Sequence, residues 1–470
     1  MLPTGTIPQS LKSIHSTFAN IVPNQSLGIP ISLFAGFATT SLIFLTLRDT
    51  CTPTPVTRIS PSESQLDAKT KSPITPSPLK TQIPTLSHGE KSTLPYPPDI
   101  FPGARDIPSP VLQYGSTRAY EFGPVTGPKV LLVHGISTPC IALHSLATTL
   151  ATTHGCRVLL FDLFGRGYSD GVSDLPHDER LYTTQVLLVL TSSSLSWVGD
   201  GFHIIGFSMG GGIAVDFAVA FAKMVKDVIL LAPAGLIREE HFGWKGKMMR
   251  KWWFPDGLWG WILRKRVSGA YDGVSDSSSS PPTPPQISDP QADDKQYESQ
   301  GQVDSELTTA VPASSAATNA DARLSFDDTP ISSLLPHITV GQVMRWQTQQ
   351  HRGYANAFAS SIMYASVSGR METYKGLWGP CTSSASEETS AHNEREKILI
   401  MVGEHDDVIV AEELREDLKT AVVERFGTRD DGSDIFEEKI TWKVIESAGH
   451  EFPITRGEEV ASCIGKFLRI

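Results

Sequence analysis

The sequence predicts an α/β fold: a mostly parallel central sheet flanked by helices, with an inserted helical cap and a disordered insertion. Three observations predict it. Short apolar runs at 130–133, 157–161, 202–205, 228–233, 397–402 and 440–445 have the length of buried strands. One of them passes through Gly206-Phe207-Ser208-Met209-Gly210 into an Ala-, Val- and Phe-rich stretch, 211–221, that reads as a helix. Between the runs at 228–233 and 397–402 lie more than 150 residues, room for an insertion over one end of the sheet.

The strand-to-helix unit carries the first chemistry. A serine on so sharp a turn projects its hydroxyl above the sheet, and flanking glycines relieve crowding around the strained backbone. The following helix aims its first N–H groups and its positive dipole end at any oxyanion formed there. Serine is a poor nucleophile at neutral pH and needs a histidine base that is itself oriented by a carboxylate. Two later strands end in suitable turns: 397–402 runs into Gly403-Glu404-His405-Asp406-Asp407, and 440–445 into Ser447-Ala448-Gly449-His450.

These turns, with G-x-S-x-G before them, resemble the nucleophile elbow, the G-x-x-D turn and the G-H turn of the α/β-hydrolase superfamily. The likeness is to capped esterase- and lipase-type serine hydrolases, including membrane-anchored monoacylglycerol-lipase-type members. It implies Ser208 as nucleophile, Asp406 as acid and His450 as base, in the superfamily's chain order. Asp407 is the rival for the acid, although Asp406 fits the spacing from Gly403 better. The bland alternative makes Asp406 and Asp407 a solvated start to a helix at 411–424, and His450 a surface histidine. Finding both at strand ends, in the expected order, weighs against it. His405 reads as an exposed neighbour and His203 as a packed core residue.

An oxyanion hole needs two donors. The resemblance assigns one to the N–H of Met209, the residue after the nucleophile. The second falls to the loop after Val130-Leu131-Leu132-Val133-His134-Gly135-Ile136, with the Ile136 N–H as candidate and Ser137 as alternative. His134 reads as structural, holding that loop. The run 157–161 leads into Asp162-Leu163-Phe164-Gly165-Arg166-Gly167-Tyr168-Ser169, similar to the superfamily's turn after its fourth strand, where Asp162 and Arg166 would brace the loop.

The 470 residues are 40% hydrophobic, enough to bury a large core. The core is expected over 111–235 and 397–470, with a cap region at 236–396. Of the net charge of −11, most sits in 271–330, where eleven acidic residues face two basic ones amid Ser, Pro, Ala and Gln. Such a composition buries too little apolar surface to offset its ordering entropy, so 271–330 is expected to be disordered, with a second short insertion at 382–396. The acidity therefore says little about the substrate. Five scattered cysteines show no paired spacing, which argues against a disulfide framework or zinc site.

Ahead of the core, a tail over 1–26 precedes 27–47, a stretch of twenty-one residues without charge that ends at Arg48 and matches the length of a bilayer core. It is expected to be a single membrane anchor, with 48–110, rich in Pro, Ser and Thr, as a flexible tether. Lys12 alone lies before the span while Arg48 and Arg58 follow it, which tilts the catalytic domain weakly toward the cytosol. Asn24-Gln25-Ser26 is the chain's only N-glycosylation acceptor and falls at the membrane edge.

The cap decides the expected substrate. Residues 238–266 hold five tryptophans among eight basic and three acidic residues, suited to a membrane interface or to packing over an acyl pocket. A second part, 337–368, looks helical. Trp252, Trp253, Trp346 and Phe358 are the candidates for substrate contact. An apolar, aromatic pocket favours an ester with a hydrophobic acyl chain, so a small or lipid-like ester is the expected partner. Rival readings are a C–C bond hydrolase or an acyltransferase using the same triad, and a membrane-tethered scaffold without activity. No cofactor, metal site or nucleic-acid motif is expected, and the oligomeric state is left open.

Overall fold

In the computed structural model, eight strands form one mixed sheet in the order β10-β9-β8-β7-β4-β5-β3-β2. In chain order these are β2 (Ala104–Ser109), β3 (Gly115–Phe122), β4 (Lys129–Val133), β5 (Arg157–Phe161), β7 (Phe202–Phe207), β8 (Val225–Leu231), β9 (Ile398–Gly403) and β10 (Ile440–Ile445). The neighbours from β10 through β5 run parallel, whereas β3 and β2 add antiparallel to one edge. Every residue of β9 is buried, as are the last four of β4, β5 and β8. Parallel strands with helices on both faces need such unbroken apolar runs. The structure describes residues 72–109, 114–241, 327–379, 397–429 and 433–470, all within one compact unit.

Helices cover the sheet: α1 (His144–Thr152), α2 (Glu179–Thr191), α3 (Met209–Ala220), α6 (Ala411–Phe426) and α7 (Gly457–Leu468). Nearly all of α3 is buried, which explains its apolar sequence on every face. Asp178 caps α2 by accepting from the N–H groups of Arg180 and Leu181. The expected helical stretch at 337–368 forms two cap helices, α4 (Val340–Gln350) and α5 (Tyr354–Tyr364). Thr339 and Gln342 make a reciprocal capping box at the start of α4.

The segment before the core differs from expectation. The tether was expected to reach residue 110 and the core to start at 111, yet 72–109 folds onto the core. A two-residue strand β1 (Ile74–Thr75) pairs antiparallel with β6 (Gly171–Val172), and β2 is the edge strand of the main sheet. An edge strand has one unpaired side and so accommodates Pro108, the kind of residue that made this stretch read as a tether. The Ser77 N–H donates to Asp170 at 2.9 Å, and Lys80 pairs with the same carboxylate. Tyr96 is fully buried and donates to Asp162 at 3.0 Å. The short, Pro-broken elements lack the periodicity that reveals longer ones, so composition alone does not distinguish them from a tether.

Trp346, a candidate for substrate contact, is buried with its ring edge-on to Tyr96 at 5.8 Å and to Tyr168 at 5.3 Å. Its indole N–H donates to Gln82 at 3.0 Å. The expected tail 1–26, anchor 27–47 and tether as far as 71, with Trp252, Trp253 and the expected insertions over 271–326 and 382–396, lie outside the described residues. Among the described residues no helix is long and apolar enough to cross a membrane.

If 72–109 is part of the fold, Tyr96→Ala should lower the unfolding free energy by about 3–5 kcal/mol, as large aromatic truncations do. Urea denaturation checks this, and an unchanged midpoint would return the segment to the status of a tether.

Candidate active site

The parallel strands β4, β7, β9 and β10 all end on one edge of the sheet, and the residues of interest follow those ends. Ser208 comes directly after β7, with φ 54° and ψ −121°, a backbone region that side-chain-bearing residues rarely adopt. Such a conformation costs on the order of 1–3 kcal/mol and persists where surrounding contacts over-determine it. Here they do. The Ser208 N–H donates to Leu231 O at 2.9 Å, and its carbonyl accepts from Gly211 at 2.8 Å and Ala234 at 3.0 Å. A Cβ on Gly206 would lie 2.2 Å from Gly210 O, and one on Gly210 would lie 2.3 Å from Val133 O. Only glycines allow strand and helix to approach this closely.

The acid and histidine turns are stitched to each other. The Glu404 N–H donates to Ile445 O at 3.0 Å and the His405 N–H to Ala448 O at 2.9 Å. The Glu404 carboxylate accepts from the Ser447 N–H at 2.7 Å. On this base Asp406, its side chain fully buried, accepts from the N–H groups of Val408 at 2.9 Å and Ile409 at 2.7 Å. Its other oxygen lies 2.9 Å from His450 Nδ1, and His450 Nε2 lies 3.0 Å from Ser208 Oγ. The structure thus brings Ser208, His450 and Asp406 into one hydrogen-bonded line. Asp407 is exposed at the surface and His405 points outward beside it.

Burial by itself would push the His450 pKa down. The charge and hydrogen bond of Asp406 outweigh that, with Glu451 and Asp407 adding to them, so the pKa is raised above the ordinary 6.5. The imidazolium is the form these carboxylates favour.

The loop after β4 passes beside the serine: a Cβ on Gly135 would sit 3.4 Å from Ser208 Cβ. Behind it His134 is buried, and its Nε2 accepts from the Leu163 N–H at 2.9 Å. The proton therefore sits on Nδ1, which donates to Gly135 O at 2.8 Å. Burial holds this ring neutral, its pKa pushed down to about 3. Met209 is the first residue of α3, where main-chain N–H groups have no intrahelical acceptor. Phe207 stacks obliquely on the His450 ring at 5.3 Å.

Asp162 is fully buried and accepts from Cys140 N, Tyr168 N and Tyr96 Oη at 2.9–3.0 Å, tying three segments together. His203, expected in the core, is half-buried and paired with Asp227 at 2.7 Å. Phe358 on α5 is half-buried beside Tyr354 at 5.8 Å. Gln347, unremarked in the sequence, reaches from α4 to the Ser137 carbonyl at 2.8 Å. A lone glutamine in a cap helix carries no motif, and only its fully buried position marks it out.

The family profile described as "Alpha/beta hydrolase family" matches residues 130–462, well over half the chain. The chain belongs to the alpha/beta hydrolase family. Among relatives of this hydrolase, an uncharacterised protein of Mycobacterium bovis is 30% identical over 139 residues, which span 29% of this chain and 38% of that one. Lipase 1 of Psychrobacter immobilis is 30% identical over 131 residues, 28% of this chain and 39% of the lipase. The chain therefore aligns with well under half the length of these relatives. Among solved structures, a thermophilic esterase from Thermogutta terrifontis is similar at 17% identity with a TM-score of 0.45, over 78% of this chain and 98% of that one.

Because Asp406 supplies the main stabilising charge, Asp406→Asn should lower the His450 pKa, whereas the wild-type value lies above 6.5. Histidine NMR titration reads both, and an unmoved pKa would mean the carboxylate is not ionised against the ring.

Proposed function

We propose that this alpha/beta hydrolase is a serine hydrolase that cleaves carboxylic esters through an acyl-enzyme. The observation that carries the reading is the line from Asp406 through His450 to Ser208, with contacts of 2.9 and 3.0 Å. Those distances suit proton transfer from Ser208 Oγ to His450 Nε2 as the oxygen attacks the acyl carbon. Asp406, bonded to Nδ1, holds the ring in the required tautomer and steadies the imidazolium that forms. The N–H groups of Met209 and Ile136 would receive the negative charge of the tetrahedral intermediate. As that intermediate collapses, the imidazolium returns its proton to the leaving alcohol. Water then enters, gives its proton to His450 and releases the acid, which regenerates Ser208.

A lipid-like acyl ester is the substrate class that the sequence favours, from the tryptophans of 238–266 and the apolar span at 27–47. The likeness to a protein named Lipase 1 points the same way. A span at 27–47 would hold the enzyme at the surface where such esters reside, in keeping with the expected anchor and the cytosol-facing domain.

Ser208→Ala should abolish fluorophosphonate labelling and lower short-acyl-ester hydrolysis by roughly 10⁴-fold or more. Labelling at the wild-type rate would sink the assignment. The base must be neutral to accept a proton, so wild-type kcat/KM should fall as pH drops through the raised His450 value, with its acid limb above pH 6.5. A pH–rate profile flat down to pH 5 would count against His450 as base.

A further inference from the structure

Three consecutive carbonyls of the loop after β4 are each held by a different side chain. His134 Nδ1 donates to Gly135 O at 2.8 Å, Arg166 Nε to Ile136 O at 3.1 Å, and Gln347 Nε2 to Ser137 O at 2.8 Å. In a trans peptide the C=O and N–H point in opposite directions. Holding these carbonyls therefore turns the N–H groups of Ile136, Ser137 and Thr138 away from their holders. The loop is thus gripped through three successive acceptors.

Arg166 is the unusual member of this set. It is fully buried, and its four partners among the described residues are all neutral: the carbonyls of Ile136 and Phe164 and the hydroxyls of Tyr182 and Ser361, at 2.9–3.1 Å. A guanidinium stays protonated in a protein interior, and burying one without a carboxylate is costly. A neutral amide suffices to hold the neighbouring carbonyl, as Gln347 shows. The charge reaches its surroundings: burial pushes the pKa values of His134 and His177 down to about 3, and Arg166 adds to that depression in both.

We infer that Arg166 is a positioning residue of the oxyanion hole, aligning the loop through the Ile136–Ser137 peptide, next to the proposed Ile136 donor, and placing a positive charge behind it where negative charge develops. The inference rests on the serine-hydrolase reading. Preorganised charge in a water-poor site acts on the transition state more than on the neutral ester. Arg166 is also tied to the cap, because Ser361 lies on α5 and accepts from Nη2. Gln347 adds a second tie from α4, its Oε1 accepting from the Gly167 N–H at 2.9 Å. Two cap helices thus reach the loop that would bind the oxyanion, one directly and one through Arg166.

The test uses the full-length protein with Arg166→Gln, Arg166→Lys and Ser361→Ala. It measures kcat and KM on a short acyl ester, affinity for an alkyl boronic acid that forms an anionic tetrahedral adduct with serine, and the thermal midpoint. Arg166→Gln should lower kcat about 10–100-fold with KM nearly unchanged, and weaken the boronic acid in parallel. Arg166→Lys, which keeps the charge and loses the fork, should fall between. A lowered midpoint with kcat and boronic-acid affinity intact would reduce Arg166 to a brace and overturn the inference. Should Arg166→Gln fail to fold, Ser361→Ala decides it, since it removes the cap-side contact of Arg166, together with the bond from Ser361 to Tyr182, and leaves the guanidinium in place. Parallel losses of about 3–10-fold support alignment through Arg166, and no change in either overturns it. A wild-type protein that neither labels with fluorophosphonate nor binds the boronic acid would sink the serine-hydrolase reading itself. An active wild type with indifferent variants would sink only the role of Arg166.

Discussion

Between the last residue of β7 and the first of α3 stands a single residue, Ser208, and the chain must reverse around it. Strand and helix then lie so close that Gly206 and Gly210 are in contact through their main chains, and Gly210 rests on the carbonyls at the end of β4. Any side chain at either glycine would drive those segments apart. The strained backbone of Ser208 is held by hydrogen bonds with the end of β8 and the loop after it, at Leu231 and Ala234. Position, strain and exposure of the hydroxyl thus follow from one close approach. The other site residues are arranged around it.

The arrangement uses two different kinds of support. On one side the acid and histidine turns bind each other through main-chain bonds, with Glu404 bridging to Ser447. Gly403 is part of that contact, since a Cβ there would meet the carbonyls of Ala448 and Gly449 at 2.5 Å. On the other side the loop after β4 is gripped by side chains, His134 and Arg166 from the core and Gln347 from the cap. The first support is local to two adjacent strands. The second joins the core to the inserted region, so the inserted helices α4 and α5 bear on the site while leaving the sheet untouched.

The N-terminal segment extends that coupling. Tyr96 reaches Asp162, which in turn receives N–H groups from the loop at Cys140 and from Tyr168. Trp346 packs on both tyrosines from the cap. Asp162 sits where burial pushes its pKa up, against hydrogen bonds that pull it down. A buried carboxyl of this kind needs its full set of donors, and one of them comes from a segment that reads as a tether in sequence.

The sequence by itself determined the fold class, the six parallel strands of the main sheet and the turns that carry Ser208, Asp406 and His450. Those signals are local: an apolar run, a glycine pair that permits a tight turn, and a reactive residue at a strand end. Asp406 and not Asp407 faces His450 because β9 ends at Gly403 and the turn directs Asp406 inward, a choice the spacing favoured without deciding. Tertiary structure alone decided the placement of Tyr96, Trp346 and Gln347 and the tie of Arg166 to the cap. Each acts through a partner between 66 and 264 residues away in the chain, except for the local contacts of Arg166 to Phe164, Tyr182 and Ile136. Periodicity and motif spacing carry no information about which distant side chain will meet a buried carbonyl. That is set only when sheet, cap and N-terminal segment pack together.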